Sequence, residues 1–157
     1  MTILPPIDRR QSDTALAIAR GTARLLHARG FTSLTELTLP SGRRADLIGI
    51  NARGEIWIVE IKSSLNDLRS DQKWEDYRAH CDRLFFAFTQ DMPIDVFPQD
   101  TGLIVADAYG AHMHCEAPEH KLAASTRKLL LLRFAMAAAN RINRLIDPQG
   151  HESPQGY

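Results

Sequence analysis

Glu60-Ile61-Lys62 closes the apolar run Ile56-Trp57-Ile58-Val59 and puts a carboxylate and an ammonium two residues apart. Side chains two apart in a strand point the same way, so Glu60 and Lys62 share a face with Ile56 and Ile58. Trp57, Val59 and Ile61 take the other face. Both faces stay apolar until Glu60, the pattern of a central strand covered on both sides. Charges at the end of such a strand are costly without partners. One hairpin upstream, Asp46 sits in Arg43-Arg44-Ala45-Asp46-Leu47-Ile48-Gly49-Ile50, joined to the run through Asn51-Ala52-Arg53-Gly54. In an antiparallel pair the start of one strand lies beside the end of the other, which brings Asp46 near Glu60. Two carboxylates and a lysine at one sheet end suit a hard divalent cation.

The elements that must position these groups follow in order. The spacing of Leu16, Ala19, Ala23 and Leu26 predicts a helix over about 13–29, capped by Ser12 or Asp13 and stopped by Gly30. A strand over about 34–39 ends at Pro40, and Ser41-Gly42 turns into the strand of Asp46. After the central strand, Asp67 caps a helix expected over 68–81. Leu84-Phe85-Phe86-Ala87-Phe88 reads as a short buried strand, 89–101 as a loop, 102–106 as another buried strand, and Tyr109-Gly110 as a turn into 111–115. A long helix over 124–146 is expected to pack through Leu131, Phe134, Ala138, Ile142 and Leu145 and to stop at Pro148. Residues 1–12 read as a flexible lead-in, 13–147 as one domain and 148–157 as a disordered tail.

Composition bounds the class. With 157 residues, 44% hydrophobic, 24% charged and zero net charge, the chain has the make-up of an ordinary soluble globular protein. No apolar run nears the roughly 20 residues that span a bilayer, so no membrane association is expected. The start lacks a signal-peptide pattern, and the two cysteines imply no disulfide framework, so the cytoplasm is the expected compartment. Residues 91–120 hold six acids and no Lys or Arg, whereas 121–146 hold six Lys and Arg and no acid. Such segments either polarise a surface toward phosphate or are ordinary solvated helix faces.

Asp46 on the second strand and Glu60-Ile61-Lys62 on the third, in an α-β-β-β-α-β order, resemble the PD-(D/E)xK nuclease superfamily. Trp57-Ile58-Val59-Glu60-Ile61-Lys62-Ser63-Ser64, Asp71-Gln72-Lys73-Trp74, Cys81-Asp82-Arg83-Leu84 and Val105-Ala106-Asp107-Ala108-Tyr109-Gly110 are similar to MmcB-type DNA-repair proteins. Ala45 stands where the superfamily usually has proline. The resemblance implies an α/β, restriction-endonuclease-like fold, a central mixed β-sheet flanked by helices with a C-terminal hairpin and long helix. It implies a DNA-repair protein associated with the nucleoid, either a metal-dependent deoxyribonuclease or an inactive DNA-binding scaffold on a nuclease fold. DNA, other repair proteins and a second copy of the chain are the partners it suggests.

In the enzyme reading, Asp46, Glu60 and the Ile61 carbonyl hold Mg²⁺ or Mn²⁺. Lys62 then orients the attacking water and neutralises phosphoryl charge, because carboxylates beside it favour its charged form. Glu36 either joins the metal or pairs with Arg43 or Arg44; the ion pair is preferred. Arg43 and Arg44 are candidate phosphate contacts. Lys73 and Tyr77, four apart on the helix that flanks such sites, share a face, with Arg69 one turn earlier. Trp74 reads as core before base-stacking. With no motif that reads bases, recognition is expected to follow DNA structure rather than sequence. His112, His114, Cys115 and His120 have zinc-like spacing, but an exposed hairpin edge is the preferred reading.

Overall fold

All seven residues of β3 (Ile56–Lys62) are buried, the outcome expected of a strand apolar on both faces. The computed structural model describes residues 12–71 and 73–151. Around β3 the chain lays down α1 (Asp13–Ala28), β1 (Thr32–Thr38) and β2 (Arg44–Ile50) before it, and α2 (Leu65–Ser70) after it. A 3₁₀ segment (Trp74–His80), β4 (Arg83–Phe88), β5 (Gly102–Ala106), β6 (Ala111–Cys115) and α3 (Ala124–Ile146) complete the order. The strands form one six-stranded mixed sheet in the order β1 to β6. β1, β2 and β3 run antiparallel, β3, β4 and β5 parallel, and β6 returns antiparallel.

Alternation along β3 divides the core. Trp57 and Val59 meet Ile18 and Leu26 of α1 on one face. Ile56 and Ile58 meet Leu130 and Phe134 of α3 on the other. A third cluster, Phe86, Phe88, Phe97, Leu68 and Leu103, fills the space beneath α2 and the 89–101 loop. Among the described residues, no helix is long and apolar enough to cross a membrane.

α3 is fastened by a buried charge. The Asp82 carboxylate, 3% exposed, accepts from Arg127 Nη1 at 2.6 Å and Nη2 at 2.7 Å, and from the amides of Ile56 at 2.8 Å and Leu122 at 2.9 Å. Burial alone would raise this carboxyl, but the bonds from Arg127 and the two amides outweigh it and hold it below its ordinary value. The start of β3, the loop before α3 and α3 itself therefore meet on one side chain.

Four expectations are corrected. The helix predicted over 68–81 is two pieces. The Ser64 hydroxyl, not Asp67, caps α2, accepting from the Asp67 amide at 3.1 Å. The chain is extended at Asp71, whose carboxylate accepts from the Lys73 amide at 2.8 Å, a local bond that competes with helix continuation. β1 begins two residues earlier than expected. The far half of α3 does not pack as expected: Ile142 is 55% exposed and Leu145 84%. Residues 148–150 of the predicted tail form a turn, with the Gly150 amide on Asp147 Oδ1 at 3.2 Å. The remainder of the lead-in before Ser12 and of the tail after His151 lies outside the described residues.

Candidate functional site

The β2–β3 register, Leu47 opposite Val59 and Ile48 opposite Ile58, carries the first residues of β2 to the last residues of β3. The two carboxylates lock there. The Asp46 amide donates to Glu60 Oε1 at 3.2 Å, and the Ile61 amide donates to Asp46 Oδ2 at 2.8 Å. Glu60 is only 4% exposed. Burial raises the Asp46 carboxyl above its ordinary value, partly offset by the Ile61 amide. Burial first and the Asp46 charge second push the Glu60 carboxyl well up. These are the marks of two like charges confined together without full compensation.

Lys62 does not supply that compensation at contact range. Its ammonium lies 2.6 Å from Asp71 Oδ2 and 4.0 Å from Asp67 Oδ1. Burial would raise the Asp71 carboxyl, but the Lys62 bond and the Lys73 amide prevail and keep it low. Sequence reasoning missed both partners as site residues. The available signal was their spacing: Asp67 and Asp71, four apart, follow directly on Glu60-Ile61-Lys62.

A pocket of about 720 Å³ opens over these groups, and Glu36, Arg43, Arg44, Lys73 and Tyr77 all line it. Glu36 takes the ion pair rather than a place against the carboxylates, with Oε2 at 2.5 Å from Arg44 Nε. Its backbone is left-handed, φ 57°, between the paired residues Thr35 and Leu37 of β1. Such a conformation costs a non-glycine residue on the order of 1 kcal/mol or more. The Arg141 guanidinium of α3 donates to the Glu36 carbonyl at 3.2 Å. Arg43 pairs with Asp76 at 2.6 Å. Exposed pairs of this kind are weak, so Arg43 and Arg44 can exchange a carboxylate for a phosphate at little cost. The Tyr77 hydroxyl donates to the Arg44 carbonyl at 3.1 Å, and burial raises its pKa, so it stays neutral.

Arg69 is exposed and does not line the pocket. The break after Ser70 removes the continuous helix that would have stacked Arg69 below Lys73. Lys73 and Tyr77 do reach the pocket, from the start and middle of a 3₁₀ segment rather than from one α-helical face. Trp74 packs edge-on to Phe86 at 5.9 Å, with Arg78 over its ring at 5.6 Å, and is half-buried. His112, His114 and Cys115 are exposed on the edge strand β6. His120 Nδ1 is 3.1 Å from an Arg78 nitrogen. Among the described residues, no group of three or more His, Cys, Asp or Glu is arranged to hold a metal.

Several arginines of the basic segment 121–146 are engaged by the body of the protein. Arg127 binds Asp82, while Arg133 and Arg141 donate to the carbonyls of Thr38 and Glu36.

A family profile described as "DNA repair protein MmcB-like" matches residues 3–149. The chain is also similar to a solved structure from Silicibacter pomeroyi, a protein of unknown function. The two are 43% identical with a TM-score of 0.86, over 90% of this chain and 97% of the other. No curated protein matches.

Proposed function

Because the chain belongs to the MmcB-like family of DNA-repair proteins, we propose that it is a nuclease of the PD-(D/E)xK type, with a restriction-endonuclease-like fold and DNA phosphodiester bonds as its substrate. The observation that carries this reading is the buried Asp46–Glu60 pair, whose carboxyls are both raised while Lys62 is held by Asp71. A pair of this kind is short of positive charge, and Mg²⁺ binds readily through two carboxylates, water and substrate phosphate.

Asp46, Glu60 and the Ile61 carbonyl would hold Mg²⁺ or Mn²⁺. A bound cation there supplies an acidified water and charge compensation at phosphorus. The protein's own groups do the rest. Arg43, Arg44 and Lys73 hold the backbone phosphates around the pocket through charge-assisted bonds that read no base. Asp71 aims the Lys62 ammonium, which orients the attacking water and stabilises charge on the phosphoryl oxygens. Tyr77 remains a neutral donor and fixes the Arg44 backbone.

The second reading is a DNA-binding scaffold with a degenerate site, favoured by the lack of any three-ligand group among the described residues. Calorimetry with Mg²⁺ and Mn²⁺, with and without a branched DNA, separates the two when wild type is compared with Asp46→Ala and Glu60→Ala. Metal binding and cleavage by wild type, lost in both variants with DNA binding retained, supports the nuclease. No metal binding even with DNA present sinks it and leaves the scaffold.

A further inference from the structure

The outward face of α3 carries Leu129, Leu132, Met136, Ala139, Asn143 and Ile146, at alternating spacings of three and four. That is the seam pattern of paired helices. The buried residues of α3, Leu130 and Phe134, lie on the opposite side. Leu129 is 44% exposed, Leu132 53%, Met136 57% and Ile146 77%. A stripe of this length, apolar at every position but Asn143, is unusual on a surface that stays in water. We propose that α3 pairs with α3 of a second copy, antiparallel, across a two-fold axis perpendicular to the helices.

Shape favours this occupant and this orientation. A hollow of about 370 Å³, lined by Ala124, Arg127, Lys128, Leu131 and Leu132, flanks the first turns of the helix. Ile142 and Leu145 project at the other end, on the same flank by helical position. A two-fold axis across the pair brings like flanks together and reverses the ends, so each copy's projection meets the other's hollow. A parallel pair sets hollow and projection at different levels. The antiparallel layers also match in size: Leu129 faces Ile146, Leu132 faces Asn143, and Met136 faces Ala139.

The helix dipoles agree: antiparallel pairing sets the positive N-terminal end of each helix beside the negative carbonyl end of the other. No stripe residue lines the pocket over Asp46 and Glu60. The inference therefore does not depend on what that site does.

Light scattering after size exclusion tests it without DNA or metal. Wild type is expected to run as a dimer, and Leu132→Glu as a folded monomer with an unchanged circular-dichroism spectrum and a Tm that no longer depends on protein concentration. Orientation is read by disulfide trapping in a Cys115→Ser background, where Cys81 is buried. Leu129→Cys and Ile146→Cys are each expected to stay uncrosslinked alone, because position 129 of one copy lies about 25 Å from its counterpart in an antiparallel pair. Mixed, they should crosslink. A monomeric wild type, a dimer that survives Leu132→Glu, or Leu129→Cys crosslinking with itself overturns the proposal.

Discussion

Lys62 and Asp71 meet at 2.6 Å across the whole of α2, both side chains nearly out of solvent at 7% and 11% exposure. Asp71→Asn should therefore do more than remove a surface charge. Leaving a buried ammonium without its contact partner, with Asp67 at 4.0 Å and Asp46 and Glu60 acting only through space, costs about 3 kcal/mol of stability. If the nuclease reading is right, cleavage should fall at least tenfold while DNA affinity stays within about twofold, since Asp71 aims Lys62 rather than touching DNA. Thermal melts and paired cleavage and binding assays check both.

Glu60 offers the opposite trade. A carboxyl raised in the fold makes the folded state the tighter proton binder. Its stability is full below the unfolded pKa and is lost as pH rises through the raised value. Glu60→Gln, which keeps an acceptor for the Asp46 amide, should stabilise the protein at pH 7 by on the order of 1 kcal/mol, a few degrees in Tm. The gain should vanish in melts near pH 4 and below. Saturating Mg²⁺ should raise the Tm of wild type and leave that of Glu60→Gln unmoved.

Asp82 is expected to be the most sensitive acid outside the pocket. Asp82→Ala strands Arg127 and the amides of Ile56 and Leu122 together, a loss of about 3–5 kcal/mol. Denaturant titration should show it with an unchanged m-value, because the folded and unfolded surfaces stay much the same.

Gly21 tests packing against propensity. Alanine in a helix interior is favoured by about 1 kcal/mol over glycine. A Cβ here, however, would run into the carbonyl oxygens of Asp107 and Gly110. The backbone of the β5–β6 turn must move to admit it, so Gly21→Ala should cost about 2 kcal/mol. A Tm above wild type would show that the turn yields freely.

The sheet end was legible because strand periodicity and hairpin geometry are local rules. Val59 and Leu47 fix the register, and Asp46 and Glu60 follow from it. The bounds of β5, β6 and α3 were legible for the same reason. What escaped depends on which of several possible partners a charge takes. Glu60-Ile61-Lys62 places an ammonium beside a carboxylate, but Asp71 takes that ammonium and breaks the expected helix in doing so. α3 shows the same limit. It is apolar on more than one flank, so Ile142 and Leu145 read as core although only Leu130 and Phe134 are buried.

The Asp82–Arg127 lock also sets an order on synthesis. Every strand of the sheet, and the acid itself, leaves the ribosome before α3 does. Until residue 127 emerges, the nascent chain must either hold the Asp82 carboxylate against the start of β3 with backbone amides alone for partners or leave that end of the sheet unformed. The last helix is thus the element whose arrival lets that end of the sheet close.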